Sequence, residues 1–303
     1  MPASRPLIVH SAAAKRDVIP RTVPLSSLAM RLKPGVSLER AQAALREALN
    51  LLMNAQSGQR YESAWQTYAV AIDQALPHLA VFAEPSLADA LLSPTYWHLF
   101  PIAGIGPEAN RVVYRELRTQ IEALERAEAE LEKLKQYAEH PGAPVVLDTN
   151  ILNWWDQPHT INWQQLFKDE GIVAPLARLV VPLVVIEELD RQKYGDGLLA
   201  KRAATAIRYL DRKLTGVAPG TPVELTKHAT LEVSLDQLPH PSGVDADLRI
   251  LTCAADLDQL LPDAGTRVLT DDTNMRLRAA HMALRTLRLP ENHRKPGTAM
   301  SGT

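Results

Sequence analysis

The sequence predicts an α/β fold in its second half, a mainly parallel sheet covered by helices on both faces, behind an all-α N-terminal region. Three observations carry this. Apolar residues recur at helical spacing through residues 37–139 with no intervening strand pattern. The run His140-Pro141-Gly142-Ala143-Pro144 then breaks the helix. Beyond it, short apolar runs alternate with helical patterns, the order that builds a parallel sheet from strand, crossover helix and strand.

Residues 1–36 are interrupted by prolines and are expected to be irregular. A helix is expected over 37–55, with Ser37 as N-cap and Leu38, Ala41, Leu45, Leu49 and Leu52 on one face. A second is expected over 60–82 through Trp65, Tyr68, Ile72, Ala75 and Leu79, and a third, short one over 86–92, ended by Pro94. Glu108–Glu139 reads as one long helix. In it Leu117, Ile121, Leu124, Leu131 and Ala138 approach heptad spacing, while Glu128 and Lys135 spoil the intervening positions. A helical hairpin or a short, imperfect coiled coil fits this pattern, with self-association through the N-terminal helices as one expectation.

In the second half, Val145-Val146-Leu147 ends at Asp148, Leu179-Val180-Val181 ends at Pro182, and Arg267-Val268-Leu269-Thr270 ends at Asp271-Asp272. Helical patterns separate them at 184–193, 198–214, 245–261 and 274–281. From Pro290 the chain is polar, with proline and glycine, and is expected to be disordered. The expected organisation is therefore an irregular segment (1–36), a helical domain (37–140), an α/β domain (141–289) and a tail (290–303).

Composition narrows the function. The 303 residues carry a formal net charge of −2 and 46% hydrophobic residues, enough for two cores. Neither half is a polycation, so nucleic-acid binding would rest on a local basic patch or on metal ions among the acids. One cysteine, Cys253, excludes an intramolecular disulfide framework and a cysteine-rich zinc site, and is expected to be a small buried hydrophobe. The nine histidines show no HExxH. No signal peptide or membrane-spanning run is legible, and a soluble, cytoplasmic protein is expected. Gly104-Ile105-Gly106 follows no strand, so it is a loop and not a nucleotide fingerprint.

In an open α/β sheet, ligands bind beyond the carboxyl ends of the strands. Asp148 and the Asp271-Asp272 pair stand at such ends. Glu187-Glu188 lies one helical turn past another, and Asp245 and Asp247 open a helix. Each acid alone has an ordinary explanation: a helix cap for Asp245 or Asp247, or an i,i+4 pair of Glu187 with Arg191. Four clusters from four segments on one rim need more, because such carboxylates repel one another unless a cation sits among them. Hard divalent ions take oxygen ligands and suit hydrolysis of a phosphodiester.

The motifs resemble those of the PIN-domain ribonuclease family. Val145-Val146-Leu147-Asp148-Thr149-Asn150 is similar to its opening strand with Asp-x-Asn, and Ile186-Glu187-Glu188-Leu189 to its second motif, an acid directly before Leu. Asp247-Leu248-Arg249-Ile250-Leu251-Thr252-Cys253-Ala254 is similar to the third motif, and Thr270-Asp271-Asp272-Thr273-Asn274 to the fourth. They come in the family's order over about 145–280, and the resemblance covers nothing before residue 141. It implies a PIN-like three-layer α/β/α domain that cleaves single-stranded or structured RNA with Mg2+ or Mn2+. Asp148, Glu188, Asp247 and Asp272 would be the catalytic, metal-binding acids, with Asn150, Thr270 and Asn274 as polar support. Glu187, Asp245 and Asp271 would then be outer neighbours, since adjacent residues point to different sides.

Lys193, Lys201, Arg202, Arg208, Arg212 and Lys213 follow the second motif. They form either a solvated helix face or a phosphate-contacting wall, with Lys201, Arg202 and Lys193 as the nucleic-acid candidates. Trp154 is either core or a platform for an unpaired base. Two rival readings stay open: a PIN fold kept as an RNA- or protein-binding scaffold with little catalysis, and a toxin paired with a small antitoxin. The extra residues 1–140 weigh against the toxin. A phosphohydrolase of another α/β family is disfavoured because Asp148-Thr149-Asn150 lacks the second Asp of an Asp-x-Asp motif.

Overall fold

A computed structural model describes residues 31–57, 64–83, 85–99, 107–218, 220–234 and 245–296. The expectations for residues 1–30 and 297–303 lie outside these.

The N-terminal unit is helical: α1 (Leu38–Ser57), α2 (Ala64–Leu79), α3 (Ser86–Leu91), α4 (Pro94–Leu99) and α5 (Pro107–Ala138). Ser37 caps α1, its hydroxyl oxygen accepting from Arg40 N at 3.2 Å. Pro94 does more than end α3. It opens α4 behind Ser93, whose Oγ accepts from Tyr96 N at 3.1 Å, because the first helical position needs no N–H donor.

The stripe on α5 is internal. Leu117, Leu124 and Leu131 are fully buried in one cluster with Leu45 and Leu52 of α1 and Tyr68 and Ile72 of α2. Glu128, which spoils the heptad, reaches Arg46 of α1 at 2.7 Å. The helices close on one another within the chain, so the stripe offers no surface for the homo-oligomer expected through it.

The C-terminal unit contains β1 (Ala143–Leu147), α6 (Thr149–Trp154), α7 (Trp163–Asp169), β2 (Ala177–Val181), α8 (Leu183–Gln192) and α9 (Gly197–Leu214). It continues with β3 (Val223–Thr226), β4 (Ala229–Val233), α10 (Ala246–Leu260), β5 (Arg267–Leu269), α11 (Thr273–His281) and β6 (Arg285–Leu287). The sheet order is β3-β4-β2-β1-β5-β6. Only the edge strand β3 runs antiparallel, so the carboxyl ends of the other five strands share one rim. All five residues of β1 and of β2 are buried, as strands with helices on both faces should be.

Sequence periodicity missed β3, β4 and β6. β4 hides behind a charge: Glu232 is fully buried and paired with the equally buried Arg178 of β2 at 3.1 Å. Tyr137 of α5 donates to the same carboxylate at 3.2 Å, and its ring lies 4.4 Å from the Arg178 guanidinium. Burial pushes the Glu232 carboxyl up, and Arg178 opposes that.

Besides Tyr137, two further features join the units. Gly142, at φ +108°, turns the chain from α5 into β1, and a Cβ there would meet the Leu176 carbonyl oxygen at 2.7 Å. At the far end of α10, Asp256 pairs with Arg31 at 2.8 Å, and Gln259 donates to the Val36 carbonyl at 3.0 Å.

The expected disorder from Pro290 does not hold for its first residues. Glu291–His293 forms a 3-10 turn and Arg294 bridges to Trp155. Polar composition concealed backbone bonds to the α6 region. No helix among the described residues is long and apolar enough to cross a membrane.

Candidate active site

Asp148 follows the central strand β1 and caps α6, its carboxylate accepting from Asn150 N at 3.4 Å. It is 3% exposed. Thr270, at the end of β5 and fully buried, donates to its Oδ2 at 2.7 Å. The Thr270 oxygen also accepts from Asp272 N at 3.0 Å, so one hydroxyl ties two acid-bearing segments.

Glu188 projects from α8 and accepts from the Thr149 hydroxyl, one residue beyond Asp148. Its neighbour Glu187 is exposed and held by Arg249 at 2.7 Å. Asp247 lies in the first turn of α10, which Asp245 caps. Arg278 of α11 donates to Asp245 and, at 3.3 Å, to Asp247. Asp272 caps α11, its Oδ1 accepting from Asn274 N at 2.6 Å and Met275 N at 3.2 Å. Asp271 turns to Arg288 at 2.9 Å and Arg294 at 3.6 Å.

Each acidic pair thus divides. Glu187 and Asp271 are bound to arginines, while Glu188 and Asp272 take contacts nearer Asp148. Asp245 and Asp247 divide less cleanly, because Arg278 touches both.

The acids of the rim act on one another's protonation. Burial pushes the Asp148 carboxyl up to about 6, against the pull of Thr270 and Asn150, and the charges of Asp247 and Glu188 add to the rise. Burial also raises Asp247, followed by the charge of Asp245; Arg278 opposes, and Asp272 and Glu188 add further. Asp245 is lowered, chiefly by the hydrogen bond from Arg278.

Among the described residues no three His, Cys, Asp or Glu side chains stand close enough to enclose an ion. The donor chemistry nevertheless fits a hard divalent cation. The four acids offer carboxylate oxygens, the donors a hard cation prefers, and the buried Asp148 carboxylate is one whose ionised form a cation would favour.

The supporting residues fall into two kinds. Thr270 acts through its side chain. Asn150 and Asn274 are exposed and meet the acids through their backbone N–H groups. Thr149, Arg278 and Arg249 were not singled out in the sequence. Thr149 sits inside the Asp-x-Asn motif and could have been flagged as a hydroxyl beside the first acid. The arginines come from other segments and left no local signal.

The basic candidates divide by burial. Arg202 is 9% exposed, lies 4.4 Å from the Trp154 ring, and donates to the Pro296 carbonyl at 2.8 Å. It is therefore a packing residue, and it stacks against the half-buried tryptophan considered as a base platform. Lys193 pairs with Asp190 and lies 4.7 Å from the Tyr194 ring. Lys201 is exposed.

Residues 145–289 match the family model of the PIN domain. PIN domains generally are metal-dependent nucleases and bind nucleic acid. No curated protein matches the chain. Among solved structures, a similar chain is a domain of a functionally unknown protein from Methanocaldococcus jannaschii DSM 2661. It is 16% identical, with 49% of this chain and 91% of that chain covered at a TM-score of 0.31.

Proposed function

We propose that this chain, whose C-terminal half is a PIN domain, is an endoribonuclease that hydrolyses RNA phosphodiesters with Mg2+ or Mn2+. The observation that carries the reading is the buried Asp148 at the carboxyl rim of the sheet, which accepts from Thr270 at 2.7 Å while the next residue, Thr149, donates to Glu188. Asp148, Glu188, Asp247 and Asp272 would hold the ion. A bound divalent cation supplies Lewis acidity at the phosphoryl group and charge to offset the acids.

The chain's own residues do the rest. Thr270 fixes the Asp148 rotamer and, through Asp272 N, the start of α11. Thr149 orients Glu188. The buried floor formed by β1 and β5 lowers the local dielectric, so charge interactions at the rim are stronger than in water. Arg249 holds Glu187 away, while Arg288 and Arg294 do the same for Asp271.

Labelled single-stranded RNA and DNA, incubated with the purified chain in magnesium, manganese or excess chelator, test this. Cleavage of RNA that needs the metal supports it, and undiminished cleavage in chelator overturns it.

A second reading, a PIN-fold scaffold with little catalysis, is favoured by one contact. Arg278 already places a cation against Asp247 and Asp245. Under that reading RNA would be bound but not cut in either metal.

A further inference from the structure

α6 has only six residues, Thr149–Trp154. A helix so short does not hold its shape alone, because nucleation is unfavourable and its end carbonyls lack partners. Yet its first turn fixes Asp148 and Thr149. Its last four carbonyls are all met. Trp155 N donates to Ile151 O at 3.1 Å, and Lys295 serves the other three. The Lys295 ammonium donates to Leu152 O at 2.9 Å and Asn153 O at 3.2 Å. Its backbone N–H donates to Trp154 O at 3.0 Å. A cation at this end also matches the negative pole of the helix.

The neighbours of Lys295 extend the grip. Asp156 N donates to His293 O at 2.8 Å, and the His293 ring meets Asp156 Oδ2 at 3.2 Å. Arg294 lies 5.4 Å from the Trp155 ring and reaches Asp271 beside Asp272 at 3.6 Å. Arg202 closes the far side on Pro296 O. One short segment therefore holds both the α6 end of the site and the turn that carries Asp272.

We propose that His293–Pro296 is a strap that positions the acids for the metal ion, with Lys295 as the principal positioning residue. The proposal rests on the nuclease reading of the same rim. It assigns no contact between the strap and substrate or metal.

The test is manganese affinity of the full chain, read from the electron paramagnetic resonance of free Mn2+, beside melting in chelator. Lys295→Met keeps an apolar stem and removes the three ammonium protons. It is expected to weaken manganese binding about tenfold, the scale of outer supporting residues at metal sites. Lys295→Arg, which can still donate to the carbonyls, is expected to recover most of the loss. Unchanged affinity in a folded Lys295→Met chain, even with a lower melting temperature, overturns the proposal and leaves the strap merely structural. If Lys295→Met does not fold, Arg294→Gln decides: about threefold weaker binding supports the strap, and unchanged binding overturns it. A wild-type chain that binds no manganese overturns the nuclease reading itself. That outcome differs from one in which the wild type binds and the variants bind equally.

Discussion

Thr270 donates its hydroxyl proton to Asp148 across the ends of two neighbouring strands, at 2.7 Å, while both side chains are shut away from solvent. The bond favours the charged carboxylate, but burial outweighs it and the Asp148 pKa stands at about 6 against an ordinary 3.8. A folded-state pKa above the unfolded one stabilises the metal-free fold at low pH. The contribution is complete below about pH 4 and lost as pH rises through 6, a change of roughly 3 kcal/mol at most. Manganese held by these acids would bind the ionised form, so its melting-temperature shift should grow from pH 5 to pH 7.5. Asp148→Asn should lack both trends. A manganese shift that is equal at the two pH values would contradict the assignment.

Lys201 and Arg202 are adjacent in sequence, but Lys201 is exposed and Arg202 is buried. Lys201→Ala should weaken RNA binding across sequences, lower the salt slope by about one, and leave melting unchanged. Arg202→Ala removes the contact to Trp154 and the bond to Pro296 O, and should cost about 1–2 kcal/mol of stability. Binding isotherms at several salt concentrations, with thermal melts, separate the two. Equal effects on both readouts would contradict the division.

Leu124 is fully buried between α5 and its partners in the same chain. Leu124→Ala should destabilise by about 2–5 kcal/mol and leave the mass by light scattering the same as wild type. A fall in mass with little loss of stability would restore the intermolecular role expected from the heptad-like spacing.

The fold and the site were legible to different depths. Helices α1, α2, α3, α5, α8, α9, α10 and α11 could be read from their helical patterns, and strands β1, β2 and β5 from short apolar runs. β4 could not, because Glu232 interrupts it and only the distant Arg178 explains that charge. The Leu117–Leu131 stripe told which residues are buried but not against what, since a hairpin within one chain and a coil between chains need the same face. Asp148 stood out because an aspartate after an apolar strand has no packing reason to be there, whereas Glu188, Asp247 and Asp272 were preferred to their neighbours by the register of the motifs they resemble. The role of Arg202 was missed because its partners, Trp154 and Pro296 O, lie 48 and 94 positions away in opposite directions. The strap was missed for a related reason: it holds α6 by bonds to backbone carbonyls, which composition does not reveal.

The central claim is that Asp148, Glu188, Asp247 and Asp272 serve a metal-dependent cleavage. It is tested most directly by initial cleavage rates of labelled single-stranded RNA in manganese for the four amide variants, Asp148→Asn, Glu188→Gln, Asp247→Asn and Asp272→Asn. Glu187→Gln and Asp271→Asn serve as controls. Asn caps a helix as well as Asp does, so the caps at Asp148 and Asp272 survive, and Asp148→Asn, which removes a buried charge, should melt no lower than wild type in chelator at neutral pH. The account predicts a loss of at least about 100-fold for each of the four, equivalent to about 2.7 kcal/mol of transition-state stabilisation. It predicts rates within about threefold of wild type for Glu187→Gln and Asp271→Asn, whose charges are taken up by arginines. Near-wild-type cleavage by any of the four, or inactivity at Glu187 with full activity at Glu188, would contradict it.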